Sequence, residues 1–429
     1  MKIYHSNSIT PRLRKELCLR SWSADVYTSL VVRDICSDIQ QRGDAAVTEY
    51  TKRFDDVDIN EFRVTQAEFA EADKSLSDTL RIAFETAAQN IRRFHAAQLK
   101  SEQRVETVPG VVCWRERRPI ERVGLYVPAG SAPLPSTVLM LGIPALLAGC
   151  SQIILCSPPK QNGSIDPVIL AAAGIIGISE VYKIGGTQAI AAMAYGTQSV
   201  PKVDKIFGPG NRYVTAAKQF VSSDHNGAAI DLLAGPSELL IVADESANPA
   251  IVAADLLSQA EHDRHSQVVL VTNSELLAYK VETELKKLLT DLPRNEIAAK
   301  ALEASFIYIA QSLEEAVTFS NEYAPEHLIL NVAAPEKIVP SIQNAGSTFL
   351  GQFAPVTAGD YASGTNHTLP TGGTARWFSG VSVESFQKTL TFQSISREGL
   401  QNLAPTLKTL AEAEGLEAHR RAVLARDVI

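Results

Sequence analysis

Short apolar segments alternate with helical segments from about residue 123 to residue 330, and this alternation constrains the fold more than any other feature. Several of the apolar segments have the length of a buried strand and are followed by a glycine and then by a helical pattern. Parallel strands need long crossover connections, which are usually helices. The sequence therefore predicts an α/β fold with parallel sheets. The predicted strands are residues 123–127, 153–156, 181–184, 205–207, 239–242, 268–271, 306–309 and 328–330.

The chain has 429 residues, which is too many for one ordinary hydrophobic core. We predict two Rossmann-like parallel-sheet domains with a helical N-terminal segment and a small helical C-terminal tail. Apolar positions at helical spacing between about Ala24 and Leu99 predict two long helices, the first broken near Gly43. The predicted division is an N-terminal helical arm (1–22), a discontinuous first α/β domain (23–125 and 239–378), a second α/β domain (126–238) and the tail (379–429).

Composition and charge narrow the classes of function. Hydrophobic residues make up 45% of the chain and charged residues 21%, as in ordinary globular proteins. The net charge is -8 and the sequence has no basic stripe, which argues against a nucleic-acid partner. The longest apolar stretch, residues 138–148, is too short to cross a bilayer, and the segment after Met1 lacks an apolar signal core. We therefore expect a cytoplasmic protein without a membrane partner.

The cysteines do not form a recognisable motif. Their number is odd, and no pair has the spacing of a metal knuckle or a redox centre. A catalytic thiol stays an alternative, because a thiolate can serve as a nucleophile in aldehyde oxidation. Free cysteine is more often a small buried apolar residue, and we favour that interpretation. The cysteines are Cys18, Cys36, Cys113, Cys150 and Cys156.

A carboxylate and an imidazole are adjacent at Glu326 and His327. Pro325 disfavours helix at the residue before it, and the apolar run 328–330 predicts a buried strand. The pair is therefore predicted at a loop-to-strand junction, where a rigid sheet can hold proton-transfer groups against a substrate. Such a dyad could remove a proton from an alcohol and activate water in one pocket.

Several distant segments carry possible metal ligands. Gln259 and His262 are three residues apart near the end of a helix predicted over residues 249–262, which places them on one face. One or two histidines with an oxygen ligand would suit zinc, but spacing alone cannot join distant segments. The other candidates are Asp360 and His367, in the Gly- and Thr-rich functional loop predicted over residues 351–380, and Glu414 and His419, in the tail.

Two further patterns leave alternatives open. His265 forms H-x-x-H with His262 and is a rival ligand, although its polar neighbours favour an exposed turn. The run from Gly208 to Asn211 opens a helix and could bind a pyrophosphate through backbone N–H groups. Without the full dinucleotide fingerprint, a simple tight turn is the more frequent explanation. Thr187, after another pair of glycines, is predicted to cap a helix.

Taken together, the motifs at residues 230–238, 258–262, 324–328 and 358–373 resemble those of the histidinol dehydrogenase family. The resemblance covers essentially the whole chain, with Glu414 and His419 following in order. It implies oxidation of L-histidinol to L-histidine through an enzyme-held aldehyde, with two NAD reduced in turn. It also implies a homodimer in which the C-terminal tail crosses to the partner subunit and completes its site.

The resemblance assigns roles to individual residues. The implied zinc ligands are Gln259, His262, Asp360 and His419, and these four would also contact the substrate. The other implied substrate contacts are Ser237, His327 and Glu414, and the implied NAD contacts are Tyr126, Gln188 and Asn211.

The implied mechanism divides the two oxidations between the adjacent pair. His327 would take the hydroxyl proton in the first oxidation, and Glu326 would activate water for the second. A relative that oxidises a different alcohol is a rival, but it should lose the groups that read the substrate. A zinc hydrolase is a rival from another class; it would normally carry H-E-x-x-H, which this chain lacks. A non-catalytic binding protein would leave the dyad unexplained.

Overall fold

The computed structural model describes residues 1–20, 26–59, 61–99, 101–129, 133–233 and 235–427. The helix start predicted near Ala24 lies outside these ranges. Within them, the α-helices are α1 Pro11–Leu17, α2 Val26–Arg42, α3 Asp44–Asp55, α4 Gln66–Ser75, α5 Asp78–Ala96, α6 Pro135–Ala148, α7 Pro167–Ile176, α8 Gly186–Tyr195, α9 Arg212–Ser223, α10 Pro249–Ala260, α11 Glu275–Leu289, α12 Asn295–Glu303, α13 Leu313–Tyr323, α14 Val356–Tyr361, α15 Arg397–Ala413 and α16 Glu417–Asp427.

The strands form three sheets within the described ranges. The strands are β1 Lys2–His5, β2 Val105–Val108, β3 Val111–Pro119, β4 Arg122–Tyr126, β5 Gln152–Ser157, β6 Glu180–Lys183, β7 Lys205–Phe207, β8 Ala229–Ile230, β9 Glu238–Ala243, β10 Gln267–Thr272, β11 Phe306–Ile309, β12 His327–Asn331, β13 Ser347–Leu350 and β14 Gln387–Ile395. Every strand predicted from the apolar runs is present, with borders shifted by one or two residues at most.

Sheet B is parallel and has the order β6-β5-β4-β7-β8. Numbered along the chain, this is the 3-2-1-4-5 order of a Rossmann fold. Residues Val123 and Leu125 of the central strand β4 are fully buried because helices cover both faces of the sheet.

Sheet A is also parallel and has the order β1-β11-β10-β9-β12-β13. Strands β9 to β13 repeat the order of sheet B, and β9 and β12 are buried along their whole length. The fold class is confirmed as two Rossmann-like parallel sheets. The N-terminal arm was predicted as helical, but Lys2–His5 forms the edge strand β1 before α1. Four residues at a sheet edge carry no long apolar run, so the pattern missed them.

Residues 26–96 form four helices instead of the two predicted long ones. Gly43 adopts a positive φ of 58° between α2 and α3, and Thr65 and Ser77 each cap the start of a new helix. These helices pack on sheet B: α2 contacts α8 and α9, α4 contacts α7, and α5 contacts α6. The packing differs from the predicted grouping of residues 23–125 with 239–378. The remaining domain borders stay predictions.

The C-terminal segment is only partly helical, so the prediction of a helical tail from residue 379 was incomplete. Strand β14 pairs antiparallel with β3, and β3 pairs with β2, to form sheet C. Strand β14 is mostly exposed and rich in threonine and glutamine, so it lacks the apolar run by which the other strands were predicted. Helices α15 and α16 follow and contact each other. No helix in the described residues combines the length and apolarity needed to cross a membrane.

Phe386 anchors the segment before β14 to the core of sheet B. Its ring stacks on Phe207 of β7 with centroids 3.8 Å apart, and both side chains are fully buried. We predict that Phe386→Ala lowers the free energy of unfolding by about 3–5 kcal/mol, because a large cavity replaces the ring. Urea unfolding measures the change.

Phe353→Ala is the matched control for this prediction, since that ring is 89% exposed. It should change the free energy of unfolding by no more than about 0.5 kcal/mol. Equal effects of the two substitutions would show that the stacked pair does not anchor the segment.

Candidate active site

The adjacent pair Glu326 and His327 lies where the chain enters sheet A. Helix α13 ends at Tyr323, and Ala324 adopts a left-handed conformation with φ of 52°. After Pro325 the chain turns into β12, which begins at His327. Both side chains of the pair are buried, at 7% and 3% residue exposure. The predicted loop-to-strand junction is confirmed.

The main chain of Glu238 holds both members of the pair. Its N–H donates to Glu326 Oε2 at 2.8 Å, and its carbonyl oxygen lies 3.1 Å from His327 Nδ1. These contacts follow from the register of sheet A, in which His327 of β12 is opposite Leu239 of β9. The sheet therefore fixes the carboxylate and the imidazole relative to each other.

The imidazole of His327 has two alternative partners at Nδ1. Gln259 Nε2 is 2.9 Å away and would donate to Nδ1, whereas the Glu238 carbonyl requires a proton on Nδ1. The two contacts therefore belong to different tautomers. When Nδ1–H donates to Glu238, Nε2 is the basic nitrogen. Nε2 is buried without a hydrogen-bond partner and lies 3.5 Å from Asp360 Oδ1.

The two carboxylates and the imidazole of this buried cluster shift one another's pKa values. Burial raises the pKa of Glu326, whose Oε2 lies 3.5 Å from His327 Nδ1. Burial would lower the pKa of His327, but the charge of Glu326 and the contact with Asp360 outweigh burial and raise it. Burial would raise the pKa of Asp360, and the contact with His327 instead lowers it. The arrangement favours a proton on the imidazole between two carboxylates.

Gln259 presents a buried oxygen that lacks a partner. Its Oε1 accepts no hydrogen bond from the residues that the structure describes, although Gln259 is only 2% exposed. Asp360, at the end of α14, contributes a carboxylate on the other side of His327. An amide oxygen and a carboxylate without other strong partners are suitable ligands for a divalent cation.

His262 follows the helix instead of belonging to it. Helix α10 ends at Ala260, so the predicted helical face shared with Gln259 is wrong, although His262 N still bonds Gln259 O at 3.3 Å. The side chain of His262 is exposed and close enough to Asp360 and His327 for their charges to affect it. A helical pattern cannot show where the last turn unwinds.

The tail residues do not join this group within one chain. His419 and Glu414 are exposed on α16 and at the end of α15. In the described part of the chain, no three His, Cys, Asp or Glu residues are arranged to hold a metal ion. A ligand set that includes His419 would therefore need this histidine from a second copy of the chain.

Two other histidines have different partners. His265 is exposed and its Nδ1 bonds Asp263, as expected for an exposed turn. Nδ1 of His367 lies 2.9 Å from the main-chain oxygen of Asp360, and its Nε2 lies 3.2 Å from the hydroxyl oxygen of Thr137. His367 thus fixes the backbone at Asp360. Asp360 and His367 both belong to the segment predicted as a functional loop, and this segment contains α14.

Ser237 lies directly before Glu238 at the same edge of sheet A and is half-buried. Its main-chain oxygen accepts a bond from Gln267 N at 3.1 Å. The structure therefore brings together Gln259, His262, Glu326, His327 and Asp360, and it places Ser237 next to Glu238 in the chain.

The candidate nucleotide contacts lie at the carboxyl edge of sheet B, where its strands end. Tyr126 is the last residue of β4, and its hydroxyl accepts the N–H of Gly186 at 3.1 Å. Gln188 lies in the first turn of α8, and Asn211 caps α9 through Tyr213 and Val214. Strands β4 and β7 border the point at which the strand order reverses, where such folds bind dinucleotides. The N-cap of α8 is Gly185, so the prediction that Thr187 caps this helix was wrong.

A buried ion pair supports the turn after β7. Lys218 and Asp231 pair with almost no exposure, Lys218 Nζ donates to Gly208 O at 2.9 Å, and Gly208 N donates to Asp231 Oδ2 at 2.8 Å. A side chain at Gly208 would collide with the carbonyl oxygen of Tyr126. The glycine lets the chain pass directly over β4.

Asp55 is a residue of this edge that the sequence did not indicate. Its carboxylate accepts a bond from Gln188 Nε2 at 3.0 Å, and burial raises its pKa to about 6. Gln188 Oε1 is buried without a partner. This orphaned oxygen is a polar group that a bound dinucleotide could partner.

The thiols of Cys36, Cys150 and Cys156 do not have the properties of nucleophiles. Burial raises the pKa of Cys36 to about 12 and the pKa of Cys150 to about 11, and it raises that of Cys156 further. A reactive cysteine requires a lowered pKa. The structural interpretation of these cysteines is therefore the better supported one.

Two parallel sheets with Rossmann strand order and a buried carboxylate–imidazole pair define an α/β protein of the Rossmann class. A profile of the histidinol dehydrogenase family matches residues 20–427. The chain is 54% identical to histidinol dehydrogenase of Vibrio parahaemolyticus over 395 residues, which cover 92% of this chain and 91% of the relative. It is 55% identical over 395 residues to that of Vibrio vulnificus, with the same coverage.

A solved structure agrees with this match. The crystal structure of histidinol dehydrogenase from Elizabethkingia anophelis has a TM-score of 0.96 and 50% sequence identity, covering 99% of this chain and 98% of that chain. The protein therefore belongs to the histidinol dehydrogenase family.

Proposed function

We propose that the protein oxidises L-histidinol to L-histidine through L-histidinaldehyde, with two NAD reduced in turn, as the last steps of L-histidine biosynthesis. The observation that carries the proposal is the buried Glu326–His327 pair, held by Glu238 beside the orphaned oxygen of Gln259. Family membership and the names of the similar proteins support the choice of substrate.

The donor atoms near His327 fit zinc. Gln259, His262 and Asp360 offer an amide oxygen, an imidazole and a carboxylate, and His419 of the partner subunit would be the fourth ligand. When bound, zinc would hold the imidazole and the amine of the substrate and thereby orient its carbinol carbon. Because Gln259 Nε2 also contacts His327, the same amide connects the metal position to the base.

The carboxyl edge of sheet B would bind NAD. Tyr126, Gln188 and Asn211 lie there, and the glycine turns allow a close approach of the pyrophosphate to the backbone. The side chain of Tyr126 is buried and bonded to Gly186, so it shapes the turn at the start of α8.

His327 would act as the general base of the first oxidation. In the neutral form of the imidazole, with Nδ1–H donated to the carbonyl of Glu238, Nε2 would take the hydroxyl proton as hydride leaves the carbinol carbon. The carboxylates of Glu326 and Asp360 would stabilise the imidazolium that forms.

Glu326 would activate the water that attacks the aldehyde. Burial makes its carboxylate a stronger base, and the N–H of Glu238 fixes one oxygen so that the other can reach water. His327 would then take the proton of the hydrate during the second loss of hydride. One pocket thus serves both steps, because each needs a base at the same carbon.

The exposed tail would complete the site of a second subunit. His419 would bind the metal and Glu414 the substrate of the partner, while Ser237 would contact the substrate from its own chain. We infer a homodimer with shared active sites, located in the cytoplasm and without nucleic-acid or membrane partners.

The direct test is turnover of L-histidinol with NAD by the zinc-loaded protein, followed by NADH absorbance and by detection of histidine. In Glu326→Gln, the first oxidation should stay within about threefold of the unsubstituted protein, and oxidation of supplied L-histidinaldehyde should fall by about 100-fold or more, because water loses its base.

Glu336→Gln is the control, since that carboxylate is exposed and lies outside the site. If Glu326→Gln slows both oxidations equally, the division of roles is wrong. If other alcohols turn over and histidinol does not, the substrate assignment is wrong.

Complementation tests the shared site. His262→Ala and His419→Ala should each be nearly inactive as homodimers. After subunit exchange, half of the dimers would be mixed and each would carry one intact site, so activity should return to about one quarter of the normal value. Refolding the two variants together and measuring NADH formation gives the result. Mixtures that stay inactive after confirmed exchange would contradict a shared site.

A further inference from the structure

Arg20 reaches the dyad from the N-terminal arm. Its guanidinium forms a two-pronged ion pair with Glu238, with Nε to Oε1 at 2.9 Å and Nη2 to Oε2 at 3.0 Å. Both side chains are buried, at 6% and 4% exposure. An arginine fork fixes a carboxylate in position and direction, which a point charge does not.

The remaining donors of Arg20 hold the bend that precedes the dyad. Nη1 donates to the main-chain oxygen of Tyr323 at 2.5 Å, and Nη2 donates to that of Ala324 at 3.2 Å. The guanidinium also lies 3.6 Å from the ring centroid of Tyr323. Ala324 has a left-handed backbone, which is unfavourable for a residue with a side chain, so external contacts are needed to maintain it.

Glu238 transmits this constraint to the reacting groups. The side chain bonds Arg20 and also accepts the N–H of Gly372 at 2.9 Å, while the main chain bonds Glu326 and contacts His327. Arg20 therefore fixes both segments that determine where the dyad lies: the bend before it and the strand end beside it.

We propose that Arg20 is a positioning residue for the Glu326–His327 dyad and that its fork sets the geometry of the second oxidation. This inference rests on the proposed function. The second oxidation requires both members of the dyad, whereas the first requires His327 alone. A small displacement of the dyad should therefore affect the second step more.

The arm itself supplies a matched control. Arg14 lies on α1, pairs with Glu315 and Glu322, and approaches the ring of Tyr308, but it does not contact the dyad. Arg14→Gln removes interactions of the arm with helix α13 and with Tyr308 of β11. This variant therefore shows whether a loss of activity comes from loosening the arm or from displacing the dyad.

The experiment compares Arg20→Lys, Arg20→Gln and Arg14→Gln in the zinc-loaded full chain. For Arg20→Gln we expect kcat of the second oxidation to fall about 10- to 100-fold and that of the first to fall severalfold less, with KM for histidinol within about threefold. Arg20→Lys keeps the charge but loses the fork, so it should fold normally and show the same pattern more weakly. Arg14→Gln should leave both steps unchanged.

A double-mutant cycle with Glu326→Gln separates positioning from general damage. If Arg20 acts through the dyad, adding Arg20→Gln to Glu326→Gln should slow the second oxidation far less than it slows the unsubstituted enzyme. Independent, multiplying effects would overturn the proposal, as would a folded Arg20→Lys variant with both steps unchanged or a loss confined to KM. Absence of histidinol turnover in the unsubstituted protein would instead reject the proposed function.

Discussion

The pairing of β9 with β12 fixes the geometry of the candidate active site. Because His327 lies opposite Leu239, the N–H and the carbonyl of Glu238 both face the dyad. The groups of Glu238 in both contacts belong to the main chain, and the strands concerned are buried over their full length. The carboxylate and the imidazole therefore keep a fixed separation, which proton transfer at one carbon requires. The side chains of Gln259 and Asp360 then define the space beside the imidazole.

The two Rossmann-like sheets carry their candidate site residues at opposite edges. Sheet B carries its candidate nucleotide contacts at the carboxyl ends of β4 and β7, as expected for this topology. Sheet A has the same strand order, yet its dyad lies at the amino ends of β9 and β12. Helix α10 runs back along sheet A, so its last turn brings Gln259 to the amino edge. The proposed reacting groups thus lie at the amino edge, where a Rossmann sheet does not usually bind its ligand.

The sequence predicted the buried strands because helices cover both faces of each sheet and leave continuous apolar runs. It did not predict the strands at sheet edges or in sheet C, which are β1, β2, β3, β8, β13 and β14. Of these, β1 and β14 lack such runs. The dyad was predicted from its own residues, since Pro325 and the following strand fix its place.

The rest of the site depends on distant contacts that no local pattern contains. Arg20 meets Glu238 across more than two hundred residues, and Asp55 meets Gln188 from a helix outside sheet B. The ligand set around Gln259 came from the family resemblance, because an amide oxygen becomes a candidate ligand only when burial leaves it without a partner.

The central claim is that Glu326 and His327, held together, carry out both oxidations in one pocket. The most direct measurement is the number of NADH formed per L-histidinol in the presence of an aldehyde trap. We expect two NADH per histidinol and no trapped aldehyde. One NADH per histidinol with aldehyde accumulating in the trap would contradict the account.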